Sequence, residues 1–156
     1  MNDKLKLLLA LTMSYGAGFI GSFFTMSQID AWYQFVNKPS FNPPNWVFGP
    51  VWSLLYLLMA VSLYLFWKKG LNTRYQKDIF KLFVLNLLLN SLWSIVFFGF
   101  HNPTLALAII IGLLYTIFLL IKRFWNDFRI SAYLLIPYFL WVAFATMLNV
   151  AIVILN

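Results

Sequence analysis

The sequence predicts an all-α integral membrane protein: a single domain built as a bundle of five transmembrane helices. Three observations carry this. First, 63% of the 156 residues are hydrophobic and only 10% are charged, against about 25% charged in a typical soluble domain. Second, five stretches, residues 7–26, 46–67, 82–100, 104–121 and 133–155, contain no Asp, Glu, Lys or Arg. Each approaches the roughly 20 apolar residues a helix needs to cross the hydrocarbon core. Third, the apolar runs are continuous rather than alternating, which argues against a β-barrel.

The first stretch, 7–26, follows Lys4 and Lys6 and contains Ser14, Ala17, Gly18, Gly21 and Ser22. The basic start raises a signal-peptide reading. The apolar run is longer than a usual signal core, however, and no clean cleavage pattern follows it, so a retained span is expected. Ser14, Gly18 and Ser22, and likewise Ala17 and Gly21, form small-xxx-small series. Such series let helix backbones approach closely, within a protomer or across a dimer.

The connection 27–45 is long for a compact bundle, and long ordered loops often carry function. Pro39, Pro43, Pro44 and Pro50 crowd its second half and the start of the second span. They fix φ and remove backbone donors, so the loop is expected to be stiff and non-helical up to that span. Trp32, Tyr33, Phe41, Trp46, Phe48 and Trp52 surround it. Amphipathic rings of this kind form interfacial belts, a reading that suits Trp67 and Trp125 beside the basic loops. A belt does not require a proline-ordered loop, and the alternative is a lid over a pocket in the bundle. The residues alone leave both readings open.

In the third stretch Asn86 and Asn90 share a helix face, which Trp93 and Phe97 continue. An amide in hydrocarbon is costly unless it finds a partner. Interhelical hydrogen bonding is the ordinary solution, and a pocket wall that orients a ligand is the sharper one. The fourth stretch follows His101 and Pro103, with the lone histidine expected as a solvated turn residue. The fifth carries Pro137, expected to loosen the helix near its start. Trp141, Ala145 and Asn149 then repeat on one face, where a broad ring beside a small residue makes a slot for a helix or a ligand.

Charge sets the expected orientation. Ten of the eleven basic residues lie in the N-terminal segment and in the connections after the second and fourth spans; the other side holds only Lys38. By the positive-inside rule the N-terminus faces the cytoplasm, and the first loop and C-terminus face out. The net charge of +7 therefore reports topology rather than nucleic-acid binding. No Asp, Glu, Lys, Arg or His lies within a span, whereas ion-coupled pumps, proton relays and voltage sensors depend on such groups. One His and no Cys leave no credible transition-metal cluster or axial haem pair, and at most His101 as a single axial ligand. No paired carboxylate, Ser-His-Asp set or phosphate loop is present, so no catalytic site is assigned.

Three segments go further. They are WY-x4-KPSFNPPNWVFGPVWSLLY (Trp32 to Tyr56), NSLWSIVFFG (Asn90 to Gly99) and LIPYFLWVAFATMLN (Leu135 to Asn149). In this order and with five spans, the chain resembles the tryptophan-rich sensory protein family, also called translocator protein or peripheral benzodiazepine receptor. The resemblance implies a five-helix bundle, usually homodimeric. It also implies a pocket at the first-loop end that binds tetrapyrroles such as protoporphyrin IX and synthetic isoquinoline carboxamides. In such members the pocket is lined by residues that match Tyr33, Pro44, Trp52, Asn90, Trp93, Trp141, Phe144 and Ala145 here. Asn86 remains a candidate for wall or glue.

The resemblance therefore favours the lid reading and a receptor or sensor that requires no cofactor, with the porphyrin as ligand. Two alternatives stay open: light-dependent porphyrin degradation, with Trp52 and Trp141 as electron donors, and facilitated transport of a hydrophobic ligand. Val150 stands where animal members carry the tyrosine of a cholesterol motif, and no basic residue follows. The chain thus looks like a microbial member, expected in a plasma membrane.

Overall fold

The computed structural model describes residues 2–156. Among these residues five long helices account for the architecture: α1 (Asp3–Ile29), α2 (Asn45–Lys68), α3 (Arg74–Ser94), α4 (Pro103–Phe124) and α5 (Arg129–Leu155). All five are long and apolar enough to cross a membrane, α3 together with the wider turn Ile95–Gly99 that continues it. The helices extend past the uncharged stretches because the apolar pattern marks only what lipid requires. The largest gain is at α3, which starts at Arg74 rather than Leu82. There the Thr73 hydroxyl accepts from the Gln76 N–H at 3.2 Å, and the Gln76 side chain accepts from the Thr73 N–H at 3.0 Å. This capping box satisfies amides that would otherwise be orphaned at the helix start. Just before it, Gly70 turns the chain with φ +98°, a conformation that favours glycine.

The helices close a ring in the order α1–α2–α5–α4–α3 and back to α1, each packed mainly on two neighbours. Chain direction alternates, so the N-terminus and the α2–α3 and α4–α5 turns share one end. Lys6 Nζ donates to the Lys68 carbonyl at 3.4 Å, Lys68 pairs with Asp3 at 3.7 Å, and Lys69 Nζ donates to the Asp127 carbonyl at 3.0 Å. This end gathers the ten basic residues. Its interior is solid: Leu63, Phe66, Ile79, Phe83, Leu120 and Phe124 are fully buried. Phe66 meets Phe124 at 5.1 Å and Phe128 at 4.9 Å between ring centroids, distances at which aromatic pairs attract beyond simple burial. Ser62 and Ser131 donate to each other's carbonyls at 2.9 and 3.0 Å, clamping α2 to α5.

At mid-height a polar layer crosses the bundle. Tyr56 Oη donates to Asn90 Oδ1 at 2.7 Å, Asn90 Nδ2 to Tyr138 Oη at 3.0 Å, and Tyr138 Oη to Asn86 Oδ1 at 3.2 Å. Asn86 Nδ2 then donates to Thr116 Oγ1 at 2.8 Å, and Thr116 to the Leu113 carbonyl at 2.8 Å. The chain of donors joins α2, α3, α5 and α4, and every member is buried.

One sequence expectation changes. The first loop is ordered, but it is not wholly non-helical: Tyr33–Phe35 form a short 3₁₀ turn ahead of the prolines. Pro50 and Pro137 both lie inside continuous helices, where each removes one backbone hydrogen-bond donor.

Candidate functional site

The first-loop end of the bundle is hollow. A cavity of about 640 Å³ lies between α1, α2, α3 and α5, inside the range of roughly 300–1,000 Å³ typical of small-molecule sites. From α2 it is lined by Asn45, Trp46, Phe48, Gly49, Trp52, Ser53 and Tyr56; from the α3 end by Trp93, Ser94, Phe97 and Phe98. Ala145, Leu148, Asn149 and Ile152 of α5 form the inner wall, and α1 contributes Gly18, Phe19, Ser22 and Met26. No charged side chain lines it.

Local sequence explains how each wall is placed. Gly18 lets α1 approach α2: a Cβ there would stand 2.4 Å from the Tyr56 ring. A Cβ at Gly21 would lie 3.0 Å from the Ser94 hydroxyl. Ser14, Ala17, Gly18 and Gly21 are all buried within the protomer, so most of the small-residue series serves packing inside this chain. The wide turn Ile95–Gly99 has one extra residue per turn, a feature often found at functional sites. It brings Val96, Phe97 and Phe98 inward together, all three buried.

Those phenylalanines seat the first loop. Tyr33 is only 5% exposed and packs on Phe97 at 6.2 Å and Phe98 at 5.5 Å. Trp32 sets its edge against the same two rings and stacks on His101 at 4.6 Å with an interplanar angle of 15°. His101 is thus more than a solvated turn residue. It holds φ +51°, and its Nε2 lies 2.8 Å from the Gln28 side-chain oxygen, tying the α3–α4 turn to the end of α1. The Tyr33 hydroxyl donates to Asn42 Oδ1 at 3.0 Å. Burial pushes the Tyr33 phenol up to about 12, with the Asn42 contact pulling the other way, so it remains protonated at physiological pH. Lys38 Nζ donates to the Tyr33 and Val36 carbonyls at 2.6 and 2.9 Å and sits 4.6 Å above the Tyr33 ring. Desolvation lowers its pKa from the usual lysine range. Finally, Asn37 and Asn156 exchange hydrogen bonds at 3.0 Å, closing the loop against the end of α5.

Of the nine ligand-contact candidates, Tyr33, Trp52, Trp93 and Ala145 line the cavity, as do Phe97 and Asn149 from the helix faces singled out with them. Trp52 stacks on Tyr56 at 5.6 Å, and Trp93 Nε1 donates to Asn149 Oδ1 at 3.1 Å. The other five candidates are not in the lining. Asn90 lies one side chain back because Tyr56 and Tyr138 already occupy both ends of its amide. Asn86 is likewise held by Tyr138 and Thr116. Pro44 is the residue that starts α2. Trp141 packs on Phe48 at 6.0 Å with its indole nitrogen buried and unpartnered, and Phe144 reaches Phe41 of the loop at 6.4 Å. Sequence reasoning did not anticipate that α1 forms a wall, nor that Tyr56 is a lining residue tied to the polar layer. The small residues of α1 were the available signal, but periodicity alone shows that a helix comes close, not to what.

Fold and cavity together define a polytopic helical membrane protein with an intrabundle, aromatic-walled chamber beneath an ordered loop. Residues 9–155 match the model of the TspO/MBR family. The chain is 43% identical over 154 residues to the tryptophan-rich protein TspO of Archaeoglobus fulgidus, covering 97% of each chain. It is 36% identical over 132 residues to the human translocator protein, covering 84% of this chain and 78% of that one. It is 31% identical over 123 residues to the tryptophan-rich sensory protein of Cereibacter sphaeroides, covering 77% and 73%. The chain belongs to the TspO/MBR family of integral membrane proteins.

Proposed function

We propose that this protein is a membrane receptor that binds a flat, largely apolar ligand of the tetrapyrrole class in the chamber under the first loop. The observation that carries the reading is the chamber itself: about 640 Å³, without charge, walled by Trp52, Trp93, Tyr56 and Phe98. Broad rings suit a broad macrocycle, and the scattered hydroxyls and the Asn45 amide provide a few polar contacts that fix orientation. Tyr33, Trp52, Trp93 and Ala145 are assigned direct contact. Pro44, Asn86, Asn90, Trp141 and Phe144 are assigned to holding those walls in place. The basic end is placed in the cytoplasm and the first loop outside a microbial plasma membrane. A homodimer would have to use a face other than the buried Gly18–Gly21 side of α1.

The test is tryptophan fluorescence of purified protein titrated with protoporphyrin IX. Saturable quenching is expected in the wild type, with at least tenfold weaker affinity in Ala145→Phe, which fills the chamber. Quenching that never saturates, or that is the same in both proteins, overturns the reading.

The stack of Trp52 on Tyr56 at the chamber wall favours one further activity. A photoexcited porphyrin there would take an electron from Trp52 and pass it to dioxygen as superoxide; the indole radical cation then recovers an electron from the porphyrin, and the porphyrin radical cation combines with superoxide, so that one dioxygen adds to the macrocycle and Trp52 is restored. Porphyrin absorbance followed under light and oxygen decides: equal loss with wild type and Trp52→Phe removes the idea.

A further inference from the structure

The chamber is covered by the first loop at its top, while part of its side wall on α1 and α2 is exposed. At the top, Tyr33 is 5% exposed and Trp32 wedges against Phe97, Phe98 and His101. The lining residues from the α3 end and from α5 are buried or half-buried. On α1 and α2 the lining is different: Phe19 is 72%, Met26 74% and Trp46 76% exposed, and Ser22, Gly49 and Ser53 are exposed as well. These two helices are neighbours in the ring, so the exposed lining marks a fissure between them. Its lower edge is pinned where the Tyr15 hydroxyl donates to the Ser53 carbonyl at 3.0 Å. Above that pin nothing stands within 4 Å of where a Gly49 side chain would begin.

Depth identifies what reaches the fissure. Phe19 and Met26 lie roughly 18 and 28 Å along α1 from the start of its uncharged stretch at Leu7, at a rise of about 1.5 Å per residue. A hydrocarbon core of about 30 Å therefore places the opening in its outer half, where lipid tails and lipid-dissolved molecules are the available visitors. We propose that the α1–α2 fissure is the portal of the chamber, and that it admits bilayer-dissolved, planar apolar ligands and lipid acyl chains rather than ligands arriving from water beneath the first loop. This rests on the binding reading above for the planar ligand, but not for the acyl chain. It adds a selection step: a molecule must first partition into the membrane and then present an edge to a slot bordered by Ser22 and Gly49.

The test uses full-length protein in lipid nanodiscs and two measurements. In the first, protoporphyrin IX association and dissociation are followed by tryptophan quenching in wild type, Gly49→Leu, Ser22→Leu and Trp32→Ala. Leucine at either exposed fissure position is expected to slow association and dissociation alike by about tenfold, a joint slowing that a change in affinity alone does not produce. Loosening the loop with Trp32→Ala is expected to leave both rates within twofold. Plugged variants that exchange ligand as fast as wild type, or a Trp32→Ala variant that exchanges about tenfold faster, overturn the proposal. In the second, mid-chain brominated lipid replaces the porphyrin as probe. Its quenching of Trp52, taken as the difference between wild type and Trp52→Phe, is expected to be clear and to fall in the Gly49→Leu background. Absence of that quenching overturns the portal. Quenching by brominated chains without saturable porphyrin binding would instead retain the portal and remove the tetrapyrrole reading.

Discussion

The two ends of this bundle are made from the same kinds of residue and do opposite things. At the basic end Phe66, Phe124 and Phe128 stack into one another and Leu63, Ile79 and Leu120 leave no exposed surface. At the first-loop end Trp52, Tyr56, Trp93 and Phe98 stand around open space of about 640 Å³. Between them lies the hydrogen-bonded layer from Tyr56 to Thr116. Aromatic content therefore does not distinguish a core from a chamber. What differs is whether the rings meet one another or face a cavity. Reciprocal serine bonds clamp α2 to α5 at the solid end, whereas the wide turn at Ile95–Gly99 and the loop stacked on it hold the other end apart.

The comparison breaks first, and most visibly, on stability. Phe66→Ala removes a fully buried ring from the solid end and is expected to cost about 3 kcal/mol or more, read as a large drop in thermal midpoint in detergent. Trp52→Ala deletes a larger side chain that already faces open space and is expected to cost about 1 kcal/mol. Equal losses would mean that the outer end is packed as tightly as the inner one.

A smaller effect sharpens the role of the dividing layer. Tyr138→Phe leaves Asn90 Nδ2 without an acceptor and Asn86 Oδ1 without a donor. The expected cost is about 1–2 kcal/mol, in keeping with intramembrane hydrogen bonds and unmet amides. Because Tyr56 keeps its own bond to Asn90, porphyrin affinity is expected to change less than twofold. A variant as stable as wild type would show that the layer fills space without contributing hydrogen-bond energy.

The smallest effect concerns the loop. Burial raises the folded-state pKa of Tyr33 to about 12 from an ordinary 10.0. The folded protein thus holds this proton more tightly than the unfolded chain. The stabilisation is full below pH 10 and is lost as pH rises from about 10 to about 12. The difference in phenolate absorbance between wild type and Tyr33→Phe is expected to titrate near the upper value. Titration near the ordinary value would mean that the loop does not bury Tyr33.

The sequence made much of the fold legible. Uncharged runs located all five helices, since lipid tolerates few alternatives to an apolar helix. The helix ends were less legible: the capping box at Thr73 and Gln76 lies outside the apolar run. Part of the chamber was also readable. The family resemblance carried by the Trp32–Tyr56 and Asn90–Gly99 segments marks Tyr33, Trp52 and Trp93, and of the face formed by Trp141, Ala145 and Asn149 the last two reach the cavity. Asn86 and Asn90 could be read only as amides needing partners, because the partners Tyr56, Tyr138 and Thr116 come from other helices.

By itself, then, the amino-acid sequence determined that the chain crosses a membrane five times, which turns share the basic end, and that a stiff aromatic loop sits opposite. These are consequences of hydrophobicity, charge and proline, which act locally along the chain. Only the tertiary structure decided the ring order of the helices, the choice of Tyr56 rather than Asn90 as the inner wall, and the use of α1's small residues against α2 and α3. It also decided that the chamber opens between α1 and α2. Each of these depends on which side chain of one helix meets which gap in another, and periodicity along a single helix does not encode that meeting.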